Sequence, residues 1–455
     1  MKEYDVIVVG SGCGMIIVDE AAAHGLKVAL VDKGPLGGTC LNLGCIPSKM
    51  LIYVADKIVE MQEARKLGVD VEIKAVDFKF TMERMRKTIE ATWNHARKEI
   101  VQSDDLDFYE GEGHFVADYT IEVNGQEIKG KKIFLASGSR PLIPRIKGMD
   151  SVDYLTNETV LQLNEKPDSL IVIGGGYIAV EYGHFFAAMG TKVTILEMAE
   201  RIVLPEEPEI SELLKRALSR RMEVYTNVQA QEVKKNKDGA TVVVQDKDAG
   251  QLKEFTGQRI LVAVGRRSNA DLLKVENTGL QLDERGFIKV DRHLQTNKKN
   301  IFAVGDANGQ QMFTHVANKE ATLAVSNAVH GTKLEMGYST APHAVYSYPQ
   351  IASVGLTQER AMKGHDVLVG KTKYLDVAKG EAMMEKEGFA KAVVEKSSGK
   401  ILGFHIIGPY APELIQEVVN AMESGGHIDQ ITGSMHIHPA LSELIPQTLS
   451  SIAQP

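Results

Sequence analysis

The chain opens with an apolar strand that runs into a glycine-rich turn, a helix, a second apolar strand and an acid, and the same series returns later. Val6 to Val9 lead into Gly10-Ser11-Gly12-Cys13-Gly14-Met15, then a helical segment from Ile16 to Gly25, a strand from Lys27 to Val31, and Asp32, 22 residues after Gly10. In the repeat, Leu170 to Ile173 lead into Gly174-Gly175-Gly176-Tyr177-Ile178-Ala179. The strand Lys192 to Leu196 then ends at Glu197, 23 residues after Gly174. Glycines in such a turn let backbone N–H groups approach a pyrophosphate at a helix N-terminus, and the distal acid takes ribose hydroxyls. The pattern therefore predicts two dinucleotide-binding units, such as one for a flavin and one for a nicotinamide. Met15 stands where a third glycine usually permits close helix–strand packing, whereas Ala179 keeps that place small. Glu197 can accept from a free 2′-hydroxyl and would repel a 2′-phosphate, which favours NAD(H) without excluding NADP(H). Arg201 blurs this preference; it reads as a solvated surface charge or a pyrophosphate contact.

At 455 residues the chain exceeds one core, and roughly three domains are expected. Its 44% hydrophobic and 25% charged content is that of a globular protein. A net charge of −8 argues against a nucleic-acid partner and offers no basic patch to a membrane. Met1-Lys2-Glu3-Tyr4-Asp5 followed by Val6 reads as a strand rather than a signal peptide, and no apolar run is long enough to span a bilayer. A cytoplasmic location is expected.

Two of the three cysteines lie in Gly37-Gly38-Thr39-Cys40-Leu41-Asn42-Leu43-Gly44-Cys45-Ile46-Pro47-Ser48-Lys49, with Pro47 placed to open a helix just beyond them. A thiol at a helix N-terminus meets unsatisfied N–H groups and the positive end of the dipole, which lower its pKa, and Lys49 adds to this. Such a pair can cycle between dithiol and disulfide. A metal site is the rival reading, but zinc takes four ligands and no second cysteine pair exists. Inert buried thiols are the other. Cys13 reads as a bystander thiol, and the 17 methionines as core filler.

Taken with these motifs, the chain resembles the class I pyridine nucleotide–disulfide oxidoreductases over essentially its full length. Ile133 to Pro141 (IFLASGSRP) and Leu261 to Asn269 (LVAVGRRSN) are similar to the family's paired crossings between domains. Thr296 to Asp306 (TNKKNIFAVGD) resembles its second flavin motif, and His436-Ile437-His438-Pro439-Ala440-Leu441-Ser442-Glu443 its His–Glu motif. The resemblance implies an α/β fold with two Rossmann-like domains, for FAD and NAD, plus a C-terminal α+β dimerisation domain. The expected boundaries are a flavin domain at 1–148 and 271–338, an NAD domain at 149–270 and an interface domain at 339–455. The residues alone mark a break in the Gly/Pro/Tyr-rich stretch from Gly337 to Pro349. Beyond it lie strands at Phe389 to Glu395 and Ile401 to Ile407, a helix at Pro412 to Glu423, and a solvated charged stretch from Lys379 to Glu387.

The resemblance also implies roles. Cys45 would face the flavin as the charge-transfer thiolate while Cys40 exchanges disulfide with substrate. His438, oriented by Glu443, would be the acid–base group, reaching the disulfide of the other subunit of an obligatory homodimer. Lys49, held by Glu181, would tune the flavin. FAD contacts would come from Gly10, Gly12, Gly14, Asp32, Lys33, Gly38, Thr39, Lys49, Ser137, Gly138, Gly305 and Asp306, the last on the ribityl chain. NAD contacts would come from Gly174, Gly176, Tyr177, Ile178, Glu197 and Gly265, with Tyr177 as a gate or as core packing. His436 reads as structural, since a His-x-His metal chelate lacks a third ligand here, and no metal is expected.

Within the family, both redox cysteines set the chain apart from soluble transhydrogenases. An end at Ser451-Ile452-Ala453-Gln454-Pro455 lacks the vicinal cysteines of mercuric reductase. Dihydrolipoyl dehydrogenase is the favoured reading, with a small thiol or a lipoyl protein as partner. The alternative is an NAD(P)H-dependent reductase of a low-molecular-weight disulfide, similar to mycothione reductase, suggested by Met15, by His315-Val316-Ala317-Asn318 and by Tyr374-Leu375-Asp376-Val377-Ala378. A structural subunit of an acyltransferase complex, or a flavin redox sensor, is the reading from a different class.

Overall fold

The protein is described here by a computed structural model covering residues 1–102 and 106–452. The end of the chain at Ala453-Gln454-Pro455, on which the distinction from mercuric reductase partly rested, lies outside the described residues. The chain divides into two compact units, one of residues 1–48, 82–142 and 265–338, the other of residues 49–81, 143–264 and 339–455.

The first unit is built on a sheet of seven strands among the described residues. Its parallel part holds Leu106–Glu110, Val28–Asp32, Lys2–Val9 and Gln126–Leu135, with Ile301–Ala303 paired to the last of these. The antiparallel strands Thr120–Val123 and Gly113–Ala117 extend one edge. Val28–Asp32, Ile301–Ala303 and the C-terminal ends of Lys2–Val9 and Gln126–Leu135 read as buried apolar runs because both faces of a parallel sheet are covered. Ile7, Val9, Ala29, Val31, Ile133 and Leu135 form one cluster with Leu273, Ile288 and Ile301. The first helix spans Gly14–Ala23, two residues earlier at each end than expected. Gly14 explains why Met15 is tolerated. A Cβ at Gly14 would lie 2.8 Å from Val8 and 3.2 Å from Ala136, so Gly14, not position 15, carries the close helix–strand approach.

The second unit contains three sheets among the described residues. Five parallel strands run in the order Glu223–Tyr225, Lys192–Leu196, Ser169–Ile173, Arg259–Val262, Tyr154–Leu155. A three-stranded antiparallel meander covers Val228–Asn236, Gly239–Asp246 and Gln251–Gly257. The third sheet is antiparallel, in the order His343–Val345, Ile351–Gly355, Ile401–Ile407, Phe389–Glu395, Val367–Lys373. Its buried face packs on the helix Ala411–Glu423 through Phe404, Ile406, Ile415 and Val418. The stretch expected as a break after Gly337 contains the short strand His343–Val345, whose three residues pair antiparallel with Ile351–Ser353.

Candidate active site and its cofactor cradles

The first glycine turn is shaped by close backbone approaches. Gly10 has φ of +102°, and a Cβ there would lie 2.2 Å from the Ala136 carbonyl oxygen, so only glycine fits. Gly12 faces Gly38 so closely that a Cβ on Gly38 would stand 2.8 Å from Gly12 Cα. Asp32 closes the turn: the Ser11 N–H donates to Oδ2 at 2.6 Å and the Gly34 N–H to Oδ1 at 2.7 Å. The Gly37 N–H donates to Ser11 Oγ at 2.9 Å, which ties the Gly37–Thr39 loop to the same turn. Lys33 lies in an exposed ion pair with Glu112 at 2.9 Å. Cys13 caps the helix, and burial pushes its thiol pKa up to about 12, which keeps it protonated and unreactive.

Opposite strands bring in Ser137 to Pro141. Ser139–Pro141 pairs antiparallel with Arg266–Ser268, so the two crossing segments singled out in the sequence form one ladder. There the Ser139 hydroxyl donates to Asp306 Oδ2 at 2.5 Å, while Arg266 donates from Nε to Ser139 Oγ at 2.6 Å and from Nη2 to the Ser139 carbonyl at 2.7 Å. Gly138 and Gly305 both take positive φ, and Gly265, also at positive φ, leads into the Arg266–Ser268 strand. Glu320 fixes the Gly305 turn: its Oε2 accepts from the Gly305 N–H at 2.6 Å and Asn308 Nδ2 at 2.9 Å, and its Oε1 from the Tyr338 hydroxyl at 2.6 Å. Burial raises the Glu320 pKa, and neighbouring Asp306 raises it further. Sequence reasoning missed Ser139, Arg266 and Glu320. The doubled arginine of Leu261 to Asn269 was the available signal for Arg266.

The second turn repeats the plan. Gly174 has φ of +111°, and a Cβ there would meet the Ala263 carbonyl oxygen at 2.3 Å. Glu197 accepts the Gly175 N–H on Oε2 at 2.5 Å and the Ala199 N–H on Oε1 at 2.6 Å, whereas Gly176 faces open space. Tyr177 and Ile178 start the helix Tyr177–Ala188. The Tyr177 ring stacks on His343 at 5.8 Å, and His343 Nε2 lies 2.7 Å from Glu206. Burial, reinforced by Glu206, raises the Tyr177 pKa. Arg201 pairs with Glu200 at 2.6 Å.

The thiol segment differs from expectation in one useful way. Cys40 lies on its own short helix, Gly38–Asn42, held by Asn42 Nδ2, which donates to the carbonyls of Leu36 at 2.9 Å and Gly38 at 3.0 Å. The long helix Cys45–Glu63 then begins at Cys45, not beyond Pro47. Its first backbone bond runs from the Ser48 N–H to the Gly44 carbonyl, which places Pro47 where no N–H is needed. Cys45 is exposed and its Sγ lies 3.6 Å from the hydroxyl of Thr314, the first residue of the helix Thr314–Val329. The thiol thus stands at the positive ends of two helices, an environment that favours thiolate.

In the second unit Lys49 Nζ donates to Glu181 Oε2 at 2.8 Å, and Glu181 Oε1 accepts the Tyr346 N–H at 3.0 Å. Lys49 also lies over the Tyr346 ring at 4.7 Å. His438 Nδ1 lies 2.8 Å from Glu443 Oε1, and the Ala440 N–H donates to Glu443 Oε2 at 3.0 Å. These donors, the backbone one foremost, hold the Glu443 carboxyl below its usual range. His438 itself is 71% exposed and presents its other nitrogen outward from that pair. His436 is tied instead to Glu417 at 2.7 Å.

Among the described residues buried Ser137 Oγ has no hydrogen-bond partner, the Gly12–Gly38 contact excludes any side chain, and Asp32 and Asp306 border the same sheet end. Such a cradle fits a dinucleotide. The sequence profile of the pyridine nucleotide-disulphide oxidoreductases matches residues 4–321, and the profile of that family's dimerisation domain matches residues 341–449. The chain belongs to this family. As a class I pyridine nucleotide–disulfide oxidoreductase it is a homodimeric flavoprotein that uses FAD and a nicotinamide dinucleotide, consistent with NAD(H) and not excluding NADP(H). It is 36% identical to the dihydrolipoyl dehydrogenase of Geobacillus stearothermophilus, over 97% of this chain and 94% of that protein. It is 33% identical to the mycothione reductase of Mycobacterium tuberculosis, over 99% of each. A solved copper(II) complex of an HOCl-induced flavoprotein disulfide reductase from Escherichia coli superposes with a TM-score of 0.88 at 26% identity, covering 99% of both chains. Among the described residues no helix is long and apolar enough to cross a membrane.

Proposed function

We propose that this family member is a dihydrolipoyl dehydrogenase, which oxidises a dihydrolipoyl dithiol with NAD⁺. The observation that carries the thiol chemistry is Cys45 at the start of two helices, five residues after Cys40 on a separate short helix. The 36% identity to a dihydrolipoyl dehydrogenase, and the Glu197 carboxylate at the second glycine turn, support the substrate and the use of NAD(H).

In this reading His438 takes the proton from one substrate thiol. The resulting thiolate attacks the sulfur of Cys40, the Cys40–Cys45 bond breaks, and Cys45 leaves as a thiolate steadied by the helix N-termini. The second substrate thiol then attacks the mixed disulfide and its proton passes to Cys40. Substrate leaves as a disulfide, and two electrons remain on the enzyme thiols. FAD, when bound, supplies the two-electron path from those thiols to the nicotinamide. Asp32, Gly12, Gly38, Ser137 and Asp306 would hold it, with Lys49 and Glu181 setting the charge beside it. The His438–Glu443 pair serves the thiols of the other subunit, a reading supported by the exposed His438 and by exposed Met435 and Ile437 beside it. The flavin domain is assigned to 1–148 and 271–338, the NAD domain to 149–270 and the interface domain to 339–455.

Turnover with NADH and NADPH against lipoamide and a panel of small disulfides tests the substrate. Rapid lipoamide turnover with NAD(H) supports the proposal. Inactivity on lipoamide beside fast reduction of another disulfide would transfer the chain to a reading like mycothione reductase, for which the 33% identity is the supporting observation. Cys45→Ser should abolish the long-wavelength absorbance that appears on anaerobic two-electron reduction; a persistent band would remove Cys45 from the flavin side.

A further inference from the structure

We propose that Glu20, His24 and His330 form a surface site for a divalent transition-metal ion of the zinc–copper class. Their ligand atoms all lie within 4.8 Å of one another. Glu20 Oε1 lies 2.9 Å from His330 Nε2 and 3.6 Å from His24 Nδ1, which also lies 2.8 Å from the Glu20 carbonyl oxygen. The two imidazoles meet edge to face, with ring centroids 4.5 Å apart. The backbone adds a reason for a cation. His24 caps the C-terminus of Gly14–Ala23 and His330 caps that of Thr314–Val329, so two helices direct their negative ends to one spot. The first helix would then carry an anionic pyrophosphate at its start and a cation at its end, each matched to the local dipole.

Two imidazoles and one carboxylate are the donor set of Zn²⁺ and Cu²⁺ rather than of Ca²⁺ or Mg²⁺, which take oxygen. Three protein ligands leave a position for water, and all three side chains are accessible from solvent at about 40% exposure. The i,i+4 spacing of Glu20 and His24 alone does not signal the site, because His330 stands 310 positions from Glu20. It lies outside the residues assigned to catalysis.

The test is calorimetric titration of ZnCl₂ into the FAD-loaded protein with the Cys40–Cys45 pair oxidised, so that thiolates do not compete. The expected result is one equivalent bound per chain in the wild type, with affinity reduced about 100-fold or more in His24→Asn/His330→Asn. Cu²⁺ spectra should show coupling to two imidazole nitrogens, absent from the variant. Flavin content and unfolding temperature of the metal-free variant should match the wild type, since both histidines are exposed. The proposal is overturned if the variant binds as tightly as the wild type. It is also overturned if no stoichiometric binding occurs, or if the event disappears in Cys45→Ser instead.

Discussion

Two carboxylates show how neighbours decide what a residue can do. Glu443 is half-buried and held ionised by the Ala440 N–H and His438, so its task is to orient an imidazole. His438→Ala should leave flavin bound and slow disulfide exchange by about 10²–10⁴-fold in stopped-flow measurements. Near-normal rates would remove His438 as the acid–base group. Glu206 is the opposite case, buried between His343 and Ser353. Burial pushes its pKa up, but the His343 imidazole and the Ser353 hydroxyl outweigh this and leave it below the ordinary value. A depressed carboxylate adds stability above its unfolded pKa, about 4.3, which is lost as pH falls through the lower folded value. Glu206→Gln should therefore cost about 1–3 kcal/mol at neutral pH, while its unfolding temperature converges with that of the wild type in acid. Parallel curves down to acid pH would show that Glu206 is not ionised in the folded state.

Helix starts carry the chemistry, and they were only partly legible in the chain. Cys40, Cys45 and Pro47 announced a helix, but proline suggested its first residue when it occupies the third, because a proline is tolerated anywhere an N–H has no intrahelical acceptor. Met15 looked like a defect in the first glycine motif. Only the packing reveals that Gly14 takes over the close approach, since the relevant neighbour, Ala136, is far away in sequence. Thr314 and Arg266 escaped notice for the same reason: each acts on a partner far away in sequence. By contrast, the central strands of the two parallel sheets, such as Val28–Asp32 and Ser169–Ile173, were plain, because burial on both faces leaves continuous apolar runs, whereas the more polar edge strands Leu106–Glu110 and Glu223–Tyr225 were not. Gly38 gives a test at this scale. It has φ of +66° and no room for a Cβ against Gly12. Gly38→Ala should cost about 1–3 kcal/mol in strain and lower the FAD content measured by absorbance. Full occupancy would show that the loop is free to move away.

At the scale of the molecule, the C-terminal part is the family's dimerisation domain, and its surface bears the mark of a missing partner. Ile437, 78% exposed, immediately precedes the candidate acid–base histidine His438, and exposed Met435 lies two residues further back. Burying such a side chain is worth about 1.5–3 kcal/mol, and a charge in its place costs more. Ile437→Lys should weaken the homodimer at least tenfold in sedimentation experiments and reduce turnover in step with dissociation. An unaltered dimer would place the interface elsewhere. The ladder of Ser139–Pro141 with Arg266–Ser268 carries a consequence for how such a chain came to be assembled. Just beyond it the Leu142 N–H reaches the Gly265 carbonyl at 3.0 Å, so the chain leaves the first unit and re-enters it at one point. From the standpoint of that unit, residues 143–264 are an insertion at the tip of a hairpin, joined by a stalk whose two strands are already zipped. A whole nucleotide-binding module can be gained, exchanged or diverged at such a junction with little disturbance to the first unit's own strand pairing, because closing a hairpin needs no knowledge of what the chain does beyond its ends.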